Sequence, residues 1–157
     1  MNHLTKFFVL LMLVGIELVI PSCKKSDPAP PDPAKILEGN SWRGTALTVT
    51  PALYGETDLY AFYEPCEKDD FLKFNASNIL IHDNGATKCD ASDPQTTPGT
   101  WSYNNSSKIL HINLSDGNIT VDKDYILKEI NDNSFKTELS IPDNGVTYAY
   151  TFTYQKL

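Results

Sequence analysis

A single arginine, Arg43, is all the guanidinium chemistry in this 157-residue chain, and 13 Lys plus Arg stand against 20 Asp plus Glu. The net charge of -7 argues against a phosphate-binding surface, because affinity for nucleic acid comes mostly from Lys and Arg displacing counterions. Nucleic acid is not an expected partner. Also missing are a glycine-rich phosphate loop, a C-x-x-C pair, an H-E-x-x-H helix and a recognisable Ser-His-Asp order. No catalytic residue, cofactor or metal site is expected, and the chain does not read as an enzyme. Long apolar runs are scarce. The longest, residues 7–20 (FFVLLMLVGIELVI), has 14 residues with Glu17 among them. It falls short of the roughly 20 that cross a bilayer core comfortably. What is present is aromatic: 11% Phe, Trp and Tyr is too much for an acidic disordered chain, and the length suits one domain.

Lys6 precedes that apolar run and the small Ser22 follows it, the layout of a secretory signal over residues 1–22. An ordinary cleaved signal, or an N-terminal anchor helix, is the plainer reading. The stretch Ile20-Pro21-Ser22-Cys23, however, resembles the bacterial lipobox, with an apolar residue three before the cysteine and a small one just before it. That resemblance implies a diacylglyceryl thioether on Cys23, cleavage before it and a fatty acyl group such as palmitate on the new amino terminus. The membrane becomes a partner through the lipid. Residues 24–33 (KKSDPAPPDP) hold four prolines and read as a semi-rigid spacer, so residues 23–34 form a tether. Lys24 and Lys25 directly after the cysteine point to the outer membrane, on its periplasmic or surface face. Residues 35–157 are left for the fold.

Cys66 and Cys89 remain. An exported chain with an even remainder favours a disulfide. Residues 70–75 (DFLKFN) and 78–83 (NILIHD) read as strands around a turn at Ala76-Ser77, and the cysteines are nearly equidistant from it. In an antiparallel hairpin such residues meet across the open end. A redox or metal role is the alternative, without C-x-x-C or clustered histidine to support it.

The rest reads as antiparallel sheet. Residues 146–154 alternate, with Val146, Tyr148, Tyr150, Phe152 and Tyr154 on one face and Thr147, Ala149, Thr151 and Thr153 on the other. Further strands are expected over 41–50, 100–103, 108–114, 125–130 and 134–140, separated by Asn-, Ser-, Asp- and Gly-rich turns. The only helix expected is a short one over 33–38. Short sequential strands with tight turns describe an all-β, up-and-down antiparallel barrel of about eight strands.

From about Ile36 to Tyr154 the chain resembles the lipocalin-like lipoproteins common in Bacteroidetes. The carriers are the leading helix ending Leu37-Glu38-Gly39-Asn40-Ser41-Trp42, the run Cys66-Glu67-Lys68-Asp69-Asp70-Phe71, Phe74, Cys89, and Gly99-Thr100-Trp101. The resemblance implies a binding module that holds a small apolar ligand in the barrel mouth. Trp42, Trp101, Tyr148, Tyr150 and Phe152 are the candidate pocket residues, with plain core as their ordinary role. The competing expectation is a filled barrel, an accessory lipoprotein acting through its surface on an envelope protein. An interior of about 300 Å³ or more would favour ligand binding.

Acid is concentrated between Glu56 and Asp93, nine carboxylates against three lysines, which reads as a solvated loop region or as a docking face for a cation or basic partner. Asp69 and Asp70 are adjacent, so on a strand they point to opposite faces and cannot work as an acid–base pair. Asp83-Asn84-Gly85 reads as a turn, since no calcium-loop frame follows it. His82 and His111 would need a third ligand to hold a metal.

Overall fold

The computed structural model describes residues 31–115 and 120–157. The leader, Cys23, most of the tether and residues 116–119 lie outside the described residues.

Nine strands follow a short helix: β1 (Ser41–Leu53), β2 (Glu56–Asp58), β3 (Phe71–Phe74), β4 (Ile79–Asp83), β5 (Thr96–Asn104), β6 (Ile109–Ser115), β7 (Thr120–Ile130), β8 (Ser134–Asp143) and β9 (Val146–Lys156). From β3 to β9 each strand pairs with the next, and β1 pairs with both β3 and β9. That closes an eight-stranded antiparallel barrel, with β2 lying above β3 on the same edge of β1. The expected fold class is the one that forms.

Closure rests on β9. Its pairing with β1 runs from Trp42↔Lys156 to Thr50↔Ala149, interrupted by a bulge between Gly44 and Ala46. A bulge adds a residue to one strand and sharpens its bend, which a narrow barrel requires. On the other side Phe135, Thr137, Leu139 and Ile141 oppose Tyr154, Phe152, Tyr150 and Tyr148, so the aromatic face read from the sequence is one face of the sheet.

The lower end is plugged. Helix α1 (Pro33–Leu37) starts with Asp32 accepting a bond from the Ala34 N–H and with proline in its first turn, where a missing N–H costs nothing. It leaves through Gly39 at φ +76, whose N–H donates to the Phe74 carbonyl. Leu37 is thereby driven into the barrel, and the Trp42 indole donates to its carbonyl at 3.3 Å. Trp42 and Phe74 each meet Phe135 edge-on, at 5.1 and 6.1 Å. Trp101 meets Phe74 at 5.1 Å, and Tyr154 stacks on Phe135 at 4.4 Å. Leu80 and Leu110 join the same buried cluster in the lower half.

The departures from expectation lie at the upper end. Besides α1 there is a second helix, α2 (Pro65–Lys68), and a 3-10 turn over Tyr60–Phe62. Strand β2 was not expected, β5 begins at Thr96 and β7 at Thr120. Prolines and charges hid them: Pro98 lies inside β5, and Asp122, Lys123 and Asp124 lie inside β7. The hairpin turn is at 75–78, with Ser77 and Asn78 both at positive φ.

Candidate functional site

Above the plug the wall residues become smaller. Gly44 and Ala46 flank the β1 bulge, and Leu72, Ile112, Leu114 and Val121 stand where the lower half has rings. The unfilled space is a cavity of about 360 Å³ that opens at the upper end. Residues 59–64 cross beside this mouth on their way from β2 to α2. Tyr60 and Tyr63 project from them into the lining, 5.3 Å apart by ring centroid. The Tyr60 hydroxyl donates to the Gly44 carbonyl at 2.9 Å, beside the bulge, and this ties the crossing segment to the wall. Tyr125 and Phe152 meet edge-on at 5.7 Å on the opposite side. Burial pushes the phenols of Tyr63, Tyr125 and Tyr154 above their ordinary values, reinforced for Tyr63 by the Glu67 carboxylate.

One side of the mouth is acidic. Asp69 and Asp70 do turn to opposite sides. Asp69 faces away from the cavity and accepts bonds from the Ala86 and Thr87 N–H groups and the Thr87 hydroxyl, all at 2.9 Å. Desolvation raises its carboxyl, and these bonds outweigh that and hold it below the usual range. Asp70 lines the cavity, with Oδ2 at 3.4 Å from His82 Nε2 and Oδ1 buried without a hydrogen bond. Desolvation, with the charges of Asp69, Glu67 and Asp83 behind it, pushes the Asp70 carboxyl up to about 6. Glu67 lines the cavity too, while its Oε2 accepts from the Glu64 N–H in the capping box of α2.

The two histidines are on opposite sides of the wall. His82 shares the inward face of Leu72, whereas His111 is outside between Asp122 and Asp124, at 3.4 and 2.8 Å. Among the described residues no three His, Cys, Asp or Glu side chains converge as metal ligands. Asp83 Oδ1 accepts from the Gly85 N–H and from Gln95, a turn closed by its own side chains. Cys66 and Cys89 are joined, with Cα atoms 5.2 Å apart. The bond is not on the strands of the hairpin but beyond its open end, linking α2 to the 84–95 loop and so fastening the rim of the mouth.

Of the pocket candidates, Trp42 forms part of the floor and Phe152 part of the wall. Trp101 is in the plug, its indole donating to the Asn75 carbonyl at 3.0 Å. Tyr148 and Tyr150 stand half-buried on the upper part of β9, which with β8 and β1 extends past the mouth, and they do not line this cavity. Residues 37–137 match the family described as lipocalin-like domain. The chain belongs to that family. No curated protein matches it at a significant level.

The matched stretch runs from the last residue of α1 into β8 and stops short of β9. In this lipocalin-like domain the closing strand beyond the match supplies Phe152 and Tyr154 to the cavity. Sequence reasoning missed Tyr60, Tyr63, Tyr125, Glu67, Asp70 and His82 as lining residues. The available signal was Glu64-Pro65-x-Glu67, a capping box with proline at the first helical position, which marks α2 and with it the rim.

Proposed function

We propose that this protein is a lipid-anchored binding module of the cell envelope that holds a small, largely apolar molecule in the mouth of its barrel. The carrying observation is the cavity of about 360 Å³, near the lower end of the range for small-molecule sites and lined mainly by aliphatic and aromatic side chains. Membership of the lipocalin-like family supports the same reading. The envelope location and the anchor rest on the lipobox-like Ile20-Pro21-Ser22-Cys23 and the proline-rich tether. The reading is of a carrier, not an enzyme: the cavity presents two carboxylates and an imidazole, with no nucleophile set beside a base.

The test is native mass spectrometry of protein purified from its own host. The expected result is an adduct that disappears on denaturation, of roughly a dozen non-hydrogen atoms, judged by a space equal to about 12 waters. Protein that is uniformly empty, and that takes up no apolar probe, would favour the alternative of an accessory lipoprotein acting through its surface.

A further inference from the structure

The charge of the cavity is one-sided. Its described lining includes Glu67, Asp70 and His82 but no lysine or arginine. The Lys68 ammonium lies over the Tyr60 ring, 5.4 Å from its centroid, and is not part of the lining. A ligand bearing a carboxylate would bring a third negative charge beside Glu67 and Asp70, with no lysine or arginine among the described lining residues to neutralise it. The Oδ1 atoms of Asp70 and Asp69 are both buried and accept no hydrogen bond, so positive charge placed beside Asp70 offsets a desolvated pair of carboxylates. The rings of Tyr60, Tyr63, Tyr125 and Tyr154 also line the cavity, and π faces attract cations and repel anions. Leu72, Ile112, Leu114 and Val121 make the rest of the wall mostly apolar, with Thr153 among them.

We infer that the cavity selects small amphipathic cations, with an alkylammonium head against Asp70 and Glu67 among the tyrosines and an apolar tail along Leu72, Ile112 and Leu114. The inference rests on the cavity being a ligand site and adds the sign of the ligand's charge. His82 belongs to the same arrangement. Its Nε2 stands 3.4 Å from Asp70 Oδ2, at the same end of the cavity. Asp69, Glu67 and Asp83 are the other charges that bear on Asp70, and all three favour a cation.

Three probes with one tail separate the possibilities: octylammonium, octanol and octanoate, titrated calorimetrically into the purified protein near neutral pH. Octylammonium should bind at least about ten-fold more tightly than octanoate, with octanol between them. In Asp70→Asn, octanol binding should persist while the octylammonium-to-octanoate ratio falls by about five-fold or more. Glu67→Gln should lower the ratio in the same direction, which guards against a folding defect in the first variant. Octanoate binding as well as octylammonium overturns the inference and leaves the cavity reading standing. So does a ratio that survives both substitutions, since the preference would then belong to the net charge of the surface. Failure of all three probes removes the cavity reading itself.

Discussion

Asp70 occupies its place at a cost to the fold, and pH exposes that cost. Its carboxyl, ordinarily near 3.8, is raised to about 6 by burial and by three neighbouring carboxylates. A group raised in the folded state contributes full stability below its unfolded value and loses it as pH climbs through the folded one. Asp70→Asn removes the ionisation, so it should stabilise the protein by on the order of 2 kcal/mol at about pH 8 and by almost nothing at about pH 4. Urea unfolding at the two pH values reads the difference. A variant no more stable than its parent at the higher pH would show that Asp70 ionises freely. The plug and the cavity make a second contrast at this scale. Phe135 is 1% exposed and touches Trp42, Phe74 and Tyr154, so Phe135→Ala should cost about 3–5 kcal/mol. Phe152 borders empty space, and Phe152→Ala should cost less than about 2 kcal/mol while weakening any bound ligand. Equal losses would mean that the upper half is packed as tightly as the lower.

Among the elements, the ones that carry alternation were legible and the ones that carry the mouth were not. β9 shows its faces in sequence because Tyr148, Tyr150, Phe152 and Tyr154 recur at period two, and β6 does the same with Leu110, Ile112 and Leu114. β5 was half hidden because Pro98 and Gly99 read as breakers. Gly99 is there for space: a Cβ would collide with the Asn113 carbonyl of β6. The rim from 54 to 70 has a three-residue strand, one 3-10 turn and a four-residue helix, each too short for any periodicity to appear. Its cavity residues are set by tertiary ties: the Tyr60 bond to Gly44, the Asp69 bonds to 86–87 and the disulfide. The cysteine pair itself was legible because the hairpin places residues equidistant from its turn together. Replacing both with serine should cost about 3 kcal/mol for a loop of this length. Hydrogen exchange should then quicken over 59–70 and 84–95 while β6 to β8 keep their protection. Uniform acceleration across the barrel would mean that the bond holds the whole fold and not its rim.

For the whole molecule the decisive relation is between the tether and the mouth. The chain enters the barrel through α1, which plugs the lower end, and the cavity opens at the other. A lipid on Cys23 would therefore hold the protein by its closed, tightly packed end, and the ligand would enter from the side away from the attachment. Among the described residues the tether reaches α1 and not the rim. The anchor is also the part least open to structural reading: it was inferred from Lys6, the apolar run and Ser22-Cys23, a pattern of composition and not of packing. The arrangement makes a separable prediction. In the native host, Cys23→Ser should move the protein from the membrane fraction to the soluble fraction, while the released protein keeps the same ligand occupancy by native mass spectrometry. Unchanged sedimentation with membranes would discard lipidation of Cys23 as the anchor. Release accompanied by an empty cavity would show instead that the ligand comes from the bilayer, and that the closed end does not keep the mouth away from it.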